Sequence, residues 1–255
     1  MTISVRQRAL EQLQSTGFFS GSIYSLFDAD ADLAKDIELQ QPRWRKLGLD
    51  KHMRDGGTYR YRRFSEMEFH AGDGKFSHVP HRAHYQPTEI NKLNGGEARW
   101  FEPVEEDFFN SPIARAVIHS LGQALSGCEG NRSLRLNVHQ VRIVSDGGRE
   151  GKPVPEGIHR DGISFGILVL MKRSNIGSGG HTTIFSPDRE PLFERTLLNP
   201  GDCILYNDRL FLHDTSPIRS ANGDMASRDM FIVEYSRPED ETQVIDNPSA
   251  PSKSS

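Results

Sequence analysis

Five short β-rich runs follow one another from residue 132 onward, and no helical periodicity separates them. Gly, Pro, Asn and Asp, which end strands and form turns, lie between the runs. The runs are RSLRLNVHQVRIV, SFGILVLMKR, HTTIFS, RTLLNPGDCILYND and RDMFIVEYS. Short strands without intervening helices favour a sandwich or a barrel. Jelly rolls are among the architectures that protect the unpaired edge strands of their sheets. We therefore expect a double-stranded β-helix, the cupin-like jelly roll, as the core of this chain.

The first half of the chain has a different pattern. Apolar residues recur at helical spacing over residues 3–16 and 111–127, and a further helical stretch covers about residues 29–39. Aromatic and arginine residues alternate over residues 57–69, which predicts a strand. This half lacks enough apolar periodicity for a core of its own. The predicted fold class is therefore α+β, with N-terminal helices packed on the jelly roll.

The same patterns predict the domain organisation. We expect a single domain over residues 1–237, with a helical half at about 1–130 and the jelly-roll core at about 131–237. The remaining residues, 238–255, are polar and rich in Pro and Ser. Such a composition cannot bury enough apolar surface to fold, so we expect a disordered tail there.

Composition excludes some partners and locations. The formal net charge of −4 gives no basic surface for nucleic acid or for an anionic membrane. The sequence has no long apolar stretch and no secretory signal at its start, and its 2 cysteines form no CxxC pair. We therefore expect a cytoplasmic protein with a small-molecule partner, and the sequence leaves its oligomeric state open.

His159, Asp161 and His213 are the candidate catalytic and metal-binding residues. In an extended H-x-D segment, residues i and i+2 point to the same face, so His159 and Asp161 can share one metal ion. His213, from a later strand, can complete the set. Two imidazoles and one carboxylate are the ligands that hold non-heme Fe(II) on one side and leave other positions open. Asn207-Asp208, shortly before His213, is interpreted as a structural turn.

Arg228 opens the last β-rich run, fifteen residues after His213. The planar fork of an arginine matches the two oxygens of a carboxylate. Beside an iron triad, the implied anion is 2-oxoglutarate, whose keto-acid end chelates the metal while its distal carboxylate meets Arg228. Arg219 is the rival for this role, but it lies in the polar loop PIRSANGDMAS rather than before an apolar strand.

Several runs together resemble the bacterial Fe(II)/2-oxoglutarate-dependent dioxygenases of the L-isoleucine hydroxylase type, and the resemblance covers about residues 55–237. The runs are YRYRRFSEMEF, YQPTEINKLNGGEARWFEP, LNVHQVRIV, HRDG, NIGSGGHTTIFSP, LNPGDCILYNDRLFLHDTSPI and RDMFIVEYS. The resemblance implies that His159, Asp161 and His213 hold Fe(II) and that Arg228 binds 2-oxoglutarate. It also implies O2 as co-substrate, with ascorbate as reductant in vitro. The implied reaction hydroxylates an aliphatic carbon of a free L-amino acid and releases succinate and CO2.

Further candidates come from strand alternation. On LNVHQVRIV, Gln140 and Arg142 share one face, and we expect Gln140 to contact the cofactor and Arg142 the substrate. Thr183, on a short strand, is a third candidate for the cofactor pocket. On YRYRRF, Arg62 and Tyr61 lie on opposite faces, and both are candidates for substrate binding, since an arginine there could bind an amino acid's carboxylate.

Other interpretations remain open from the sequence. His78, His81 and His84 lie close together, but Pro80 breaks the helix that would align them and no acidic partner is nearby, so they are interpreted as solvated loop residues. The same triad could also serve a Zn or Mn hydrolase or isomerase, since these ligands bind several divalent metals. A non-catalytic, ligand-binding jelly-roll module is the third alternative. A peptide or carrier-bound amino acid is the closest rival substrate.

Overall fold

We analysed a computed structural model of the protein, which describes residues 5–27 and 31–240. The first half of the chain contains both helices and strands. In order, they are α1 Val5–Thr16, β1 Phe18–Ser22, α2 Ile23–Leu26, α3 Ala31–Gln40, a 3-10 helix Gln41–Lys46, β2 Arg60–His70, β3 Lys75–His78, a 3-10 helix Glu106–Asn110, α4 Pro112–Ala114, a π-helical stretch Arg115–Leu121 and α5 Gly122–Cys128.

The second half, as far as it is described, consists of strands and loops. They are β4 Leu134–Ser145, β5 Phe165–Ser174, β6 Ile176–Ser178, β7 His181–Phe185, β8 Pro191–Thr196, β9 Asp202–Asn207, β10 Leu212–Thr215, β11 Arg219–Ser220 and β12 Ala226–Ser236. The strands form a seven-stranded sheet in the order β1-β9-β5-β12-β4-β2-β3, a three-stranded sheet β10-β7-β8 and a pair β11-β6. Every pairing between strands is antiparallel. The predicted jelly-roll core with N-terminal helices is confirmed.

The large sheet is buried on both faces, and alternation along β12 shows how. Phe231 and Val233 belong to the main apolar core with the helices, where Trp44 donates its indole N–H to the carbonyl of Met230 at 2.9 Å. Met230 points to the other face and packs in a smaller apolar cluster with Ile184 of the small sheet. The site described below lies on this second face.

The first half is less helical than expected, because β1, β2 and β3 all join the large sheet. β2 pairs with β4 over most of its length, with Arg62 opposite Val141. Without β2, the backbone N–H and C=O groups along one edge of β4 would lack hydrogen-bond partners. β2 supplies these partners. One sheet therefore crosses the predicted boundary near residue 130.

The start of the predicted tail is ordered, which corrects its boundary. Asp240 is buried and accepts hydrogen bonds from the Ser164 hydroxyl and the Arg237 backbone N–H, both at 2.6 Å. The rest of the predicted tail, residues 241–255, lies outside the described residues. Within the described ranges, no helix has the length and apolar character needed to cross a membrane.

Candidate active site

The three predicted metal ligands converge on one point. His159 lies in the loop between β4 and β5, and its backbone exchanges two hydrogen bonds with that of His213 on β10, at 3.1 and 2.9 Å. This bridge holds the two imidazole rings 4.4 Å apart, centre to centre. The Nε2 atoms of His159 and His213 each lie 3.3 Å from a carboxylate oxygen of Asp161. A single ion can therefore contact all three side chains.

The hydrogen bonds around the triad suit a metal ion. Nδ1 of His159 donates to the carbonyl of Gly157 at 3.0 Å, so Nε2, which faces Asp161, is the ring nitrogen that binds a metal ion once its proton has left. Two imidazole nitrogens and one carboxylate oxygen form the donor set of a non-heme iron triad. The donor set and its orientation thus fit Fe(II).

Electrostatics at the triad favour a cation. Burial alone lowers the pKa of His159, but the hydrogen bond and charge of Asp161 outweigh it and raise the pKa to about 9. Burial lowers the pKa of His213 to about 4. Burial raises the pKa of Asp161, but the two histidines outweigh it and hold that pKa below its usual range. Without a metal ion, a proton on His159 therefore offsets the charge of Asp161, and a bound metal ion takes the place of that proton.

Tyr206 and Gly166 fix the carboxylate of the triad. The Tyr206 hydroxyl donates to Asp161 at 2.9 Å. Tyr206 on β9 lies opposite Gly166 on β5, and a Cβ atom at Gly166 would lie 2.4 Å from the Tyr206 hydroxyl. Only glycine therefore lets the ring cross the neighbouring strand. No sequence pattern indicated either residue.

Asp208 supports the triad from behind. It is 1% exposed, and its carboxylate accepts from the backbone N–H groups of Asp161, Gly162 and Ile163 at 3.1, 2.8 and 3.2 Å. One of its oxygens lies 3.7 Å from Nδ1 of His213. The prediction that Asn207-Asp208 forms a turn is thus correct for the backbone. The side chain of Asp208 has a further role, since it orients the backbone segment that carries Asp161.

Replacing Asp208 by Asn should weaken metal binding about 10- to 100-fold, the usual effect of losing a group that orients metal ligands. An amide can accept on only one side, so at least one of the three backbone N–H groups would face an N–H group. Metal titration of the Asp208→Asn variant measures the effect. Asp214→Asn is the matched control, since Asp214 follows His213 on β10 and neighbouring residues of a strand point to opposite faces. Equal losses in both variants would contradict this role.

Arg228 is in the same cavity as the triad. The cavity has a volume of about 130 Å³. Arg228 is 3% exposed, and its Nε and Nη2 atoms are buried without a hydrogen-bond partner among the described residues. Burial, and to a lesser extent the charge of Arg173, lower its pKa to about 10. Arg219, the rival, pairs with Glu150 on the exterior. A buried guanidinium with unused donors fits the carboxylate of a bound anion.

Two predicted contacts on β4 are on the wrong face. His139, Val141 and Ile143 line the cavity, whereas Gln140 and Arg142 do not. Gln140 is paired with Phe231, which points into the main apolar core, and Arg142 forms an ion pair with Asp229 at 3.2 Å. Alternation correctly separated the two faces, but it could not tell which one the site occupies.

Tyr61 and Thr183 are misplaced for the same reason. Tyr61 is paired with Arg142 and packs against the main apolar core, not in the cavity. The Thr183 hydroxyl donates to Glu194 at 3.3 Å on the outer side of the small sheet. Its neighbour Thr182 points inward and bonds Thr215, which lines the cavity. Of the predicted substrate contacts, the structure places Arg62 alone in the cavity.

Arg62 belongs to a group of buried polar side chains that the sequence analysis did not assemble. This arginine–histidine cluster comprises Arg62, His84, Arg99, His139 and Glu234, all of which line the cavity. The interpretation of His84 as solvated is wrong, because it is 4% exposed. Its backbone exchanges two hydrogen bonds with that of Arg99, both at 2.9 Å. This isolated bridge holds the loop segment of His84 against β2, where its ring contacts Phe64. No local pattern near His84 indicates such a bridge.

Comparisons with known proteins agree with this geometry. The family model for 2OG-Fe dioxygenases matches residues 41–234. The chain belongs to that family. It is similar to a bsmA homolog from Methylobium petroleophilum PM1, with 32% identity, a TM-score of 0.81 and coverage of 91% of this chain and 93% of that one. The fold also matches IDO from Bacillus thuringiensis, with a TM-score of 0.77, 20% identity and coverage of 92% of this chain and 100% of that one.

Among curated proteins, the chain is 24% identical over 159 residues to L-isoleucine-4-hydroxylase from Bacillus thuringiensis. The match covers 61% of this chain and 66% of that relative, slightly less than two thirds of its length. Family membership identifies the chain as an Fe(II)/2-oxoglutarate-dependent dioxygenase that uses O2. The hydrolase, isomerase and non-catalytic alternatives are therefore set aside.

Proposed function

We propose that this dioxygenase hydroxylates an aliphatic carbon of a free L-amino acid, with release of succinate and CO2. One observation carries the proposal: two buried arginines, Arg62 and Arg228, line the same cavity as the triad, and neither has a carboxylate partner in the described part of the chain. One can bind 2-oxoglutarate and the other an amino acid's carboxylate. Similarity to L-isoleucine-4-hydroxylase supports this substrate class.

The proposed roles follow from the side chains. His159, Asp161 and His213 would hold the iron, and Arg228 would bind the distal carboxylate of 2-oxoglutarate. When bound, iron, 2-oxoglutarate and O2 supply the oxidising chemistry. The protein's own task is to hold the substrate carbon in place and to exclude water. Val141, Leu168, Met230 and Ile232 give the cavity apolar walls for an aliphatic side chain.

Incubating the protein with Fe(II), 2-oxoglutarate, ascorbate and each of the twenty amino acids tests the proposal. At least one amino acid should gain one oxygen by mass spectrometry, with an equal amount of succinate. The His213→Ala variant, which lacks one proposed iron ligand, should give neither product. Succinate without any hydroxylated amino acid would confirm the dioxygenase and contradict the amino acid substrate. The cytoplasmic location stays a prediction.

A further inference from the structure

We propose that Arg62 and Glu156 form a zwitterion clamp, in which Arg62 binds the α-carboxylate and Glu156 the α-ammonium of an amino acid with an uncharged side chain. The inference rests on the proposed function and deepens it. Both residues line the cavity that contains the triad. The contacts of each residue show which of its atoms are free for a ligand.

Arg62 is a buried cation with unused donors. It is 8% exposed, and its guanidinium lies 4.3 Å above the ring of Phe101. Nη2 donates to Nδ1 of His139 at 2.6 Å, while the buried Nε has no hydrogen-bond partner among residues 5–27 and 31–240. Burying an unused donor of a cation is costly, and a bound carboxylate that accepts from it would remove that cost.

Glu156 offers the complementary group. Its Oε1 accepts from the side-chain amide of Asn91 at 3.0 Å, whereas Oε2 is buried and has no hydrogen-bond partner in the described ranges. A carboxylate oxygen of this kind can accept from an ammonium group. Glu156 and the triad residue His159 line the same cavity, so an ammonium bound by Glu156 would lie in the cavity that holds the triad.

Glu234 is another carboxylate near Arg62, but each of its oxygens already lies close to a nitrogen of a neighbouring side chain. Oε2 accepts from Asn137 at 3.0 Å, and Oε1 lies 3.2 Å from Nε2 of His139. Because Arg62 donates to Nδ1 of His139, the proton of this neutral imidazole must be on Nε2, facing Glu234. Glu234 therefore orients His139, and His139 orients Arg62.

The same hydrogen bonds exclude a second metal site at His84, His139 and Glu234, although their ligand atoms lie within 4.8 Å of one another. A histidine that binds a metal through Nε2 carries its proton on Nδ1 and donates it. Here Nδ1 of His84 accepts from Arg99 at 2.8 Å, and Nδ1 of His139 accepts from Arg62. If His84 or His139 bound a metal ion through Nε2, its Nδ1–H would face the guanidinium N–H group of Arg99 or Arg62.

Charges near the clamp indicate which substrates it accepts. Three arginines and three carboxylates line or adjoin this part of the cavity. They are Arg60, Arg62, Arg99, Asp50, Glu156 and Glu234. Arg60 and Asp50 neutralise each other at 2.8 Å, and the other four sum to zero. A zwitterion with an uncharged side chain preserves this balance, whereas an acidic or basic side chain would add a buried charge without a partner.

Binding of three ligands of similar shape tests the clamp. L-leucine carries both α-groups, 4-methylpentanoate lacks the ammonium, and L-leucinamide lacks the carboxylate. Calorimetry on protein loaded with Fe(II) and 2-oxoglutarate, without O2, reads binding without turnover; the buffer is kept below neutral pH so that the amine stays protonated. The unchanged protein should bind L-leucine about tenfold or more tightly than either analogue, since each loses one charge-assisted contact.

Two variants should have opposite patterns. Glu156→Gln should weaken L-leucine and L-leucinamide about tenfold and leave 4-methylpentanoate unchanged, because only the first two carry an ammonium. Arg62→Lys should weaken L-leucine and 4-methylpentanoate and leave L-leucinamide unchanged, because lysine cannot reproduce the arginine fork. Glu150→Gln, in the same loop as Glu156 but paired with the surface residue Arg219, is the matched control and should change nothing.

Three results would overturn the clamp: equal losses for all three ligands in a variant, no preference or no binding in the unchanged protein, or tighter binding of L-glutamate or L-lysine than of L-leucine. Each of these results is distinguishable from failure of the proposed function. That failure would be the absence of any amino acid that gains an oxygen in the mass-spectrometric screen. A failed clamp with a hydroxylated amino acid leaves the proposed function standing. Zwitterion binding without hydroxylation contradicts the proposed function alone.

Discussion

His213→Ala should reduce metal affinity by more than about a hundredfold and abolish measurable succinate formation. Residues that merely orient metal ligands already contribute about 10- to 100-fold, so loss of a ligand must exceed that. His213 is 6% exposed and supplies one of the three donor groups that converge in this site among the described residues. Metal content after dialysis and succinate formation together measure the effect.

The control for this variant is His181→Ala, which removes an exposed histidine that bonds Thr196 on the small sheet. It should retain the metal and full activity. The metal-free His213→Ala protein should unfold at a lower temperature than the His181→Ala protein, because His213 is buried against His159 and Tyr206, but circular dichroism should show that both variants keep the fold of the unchanged protein. A His213→Ala protein that keeps its metal would contradict the triad.

Arg228→Met should weaken 2-oxoglutarate binding by about 1.5–3 kcal/mol, the value of a hydrogen bond to a charged group, which is roughly 10- to 150-fold. The apparent KM for 2-oxoglutarate should rise accordingly. In the absence of 2-oxoglutarate the same variant should be more stable than the unchanged protein, because it removes a buried guanidinium without a partner. A gain in stability without 2-oxoglutarate would therefore indicate that Arg228 serves binding, whereas a loss would indicate that it serves the fold.

Thermal unfolding with and without 2-oxoglutarate gives both readouts for Arg228→Met. The unchanged protein should gain stability on adding 2-oxoglutarate, and the variant should gain little. Arg219→Met is the matched control, since Arg219 is a surface residue paired with Glu150, and it should respond to 2-oxoglutarate like the unchanged protein. An unaltered KM in Arg228→Met would assign the 2-oxoglutarate carboxylate to another residue.

Much of the fold could be predicted from the sequence because strands are local. Hydrophobic runs bounded by turn residues indicated β4, β5, β7, β9 and β12, and alternation indicated β2. The triad could also be found, because His159 and Asp161 are two residues apart and an extended segment puts such residues on one face, although the structure places them in the loop between β4 and β5 rather than on a strand. Arg228 was identifiable because it directly precedes the apolar run of β12.

The errors have one physical cause. Alternation along β4 predicts that Gln140 and Arg142 share a face. It does not predict which face is turned toward the cavity, because a strand that is buried on both sides has no solvent-exposed polar face. The face that lines the cavity depends on which layer packs against it, and here the helices cover Gln140 while the small sheet leaves room beside Val141. Thr183 was misplaced in the same way, one residue from the inward-facing Thr182.

By itself, the sequence determined the jelly-roll class, the H-x-D pair with its distal histidine and the position of Arg228, since each depends on neighbouring residues or on a local strand pattern. Only the tertiary structure decided which face of β4 lines the cavity and that Arg62 and Glu156 line the same cavity. Those two residues lie on different segments, and their places in the cavity depend on the β2–β4 register and on the loop that carries Glu156. Long-range packing of this kind leaves no periodic signal in the chain, because the partners are far apart in sequence.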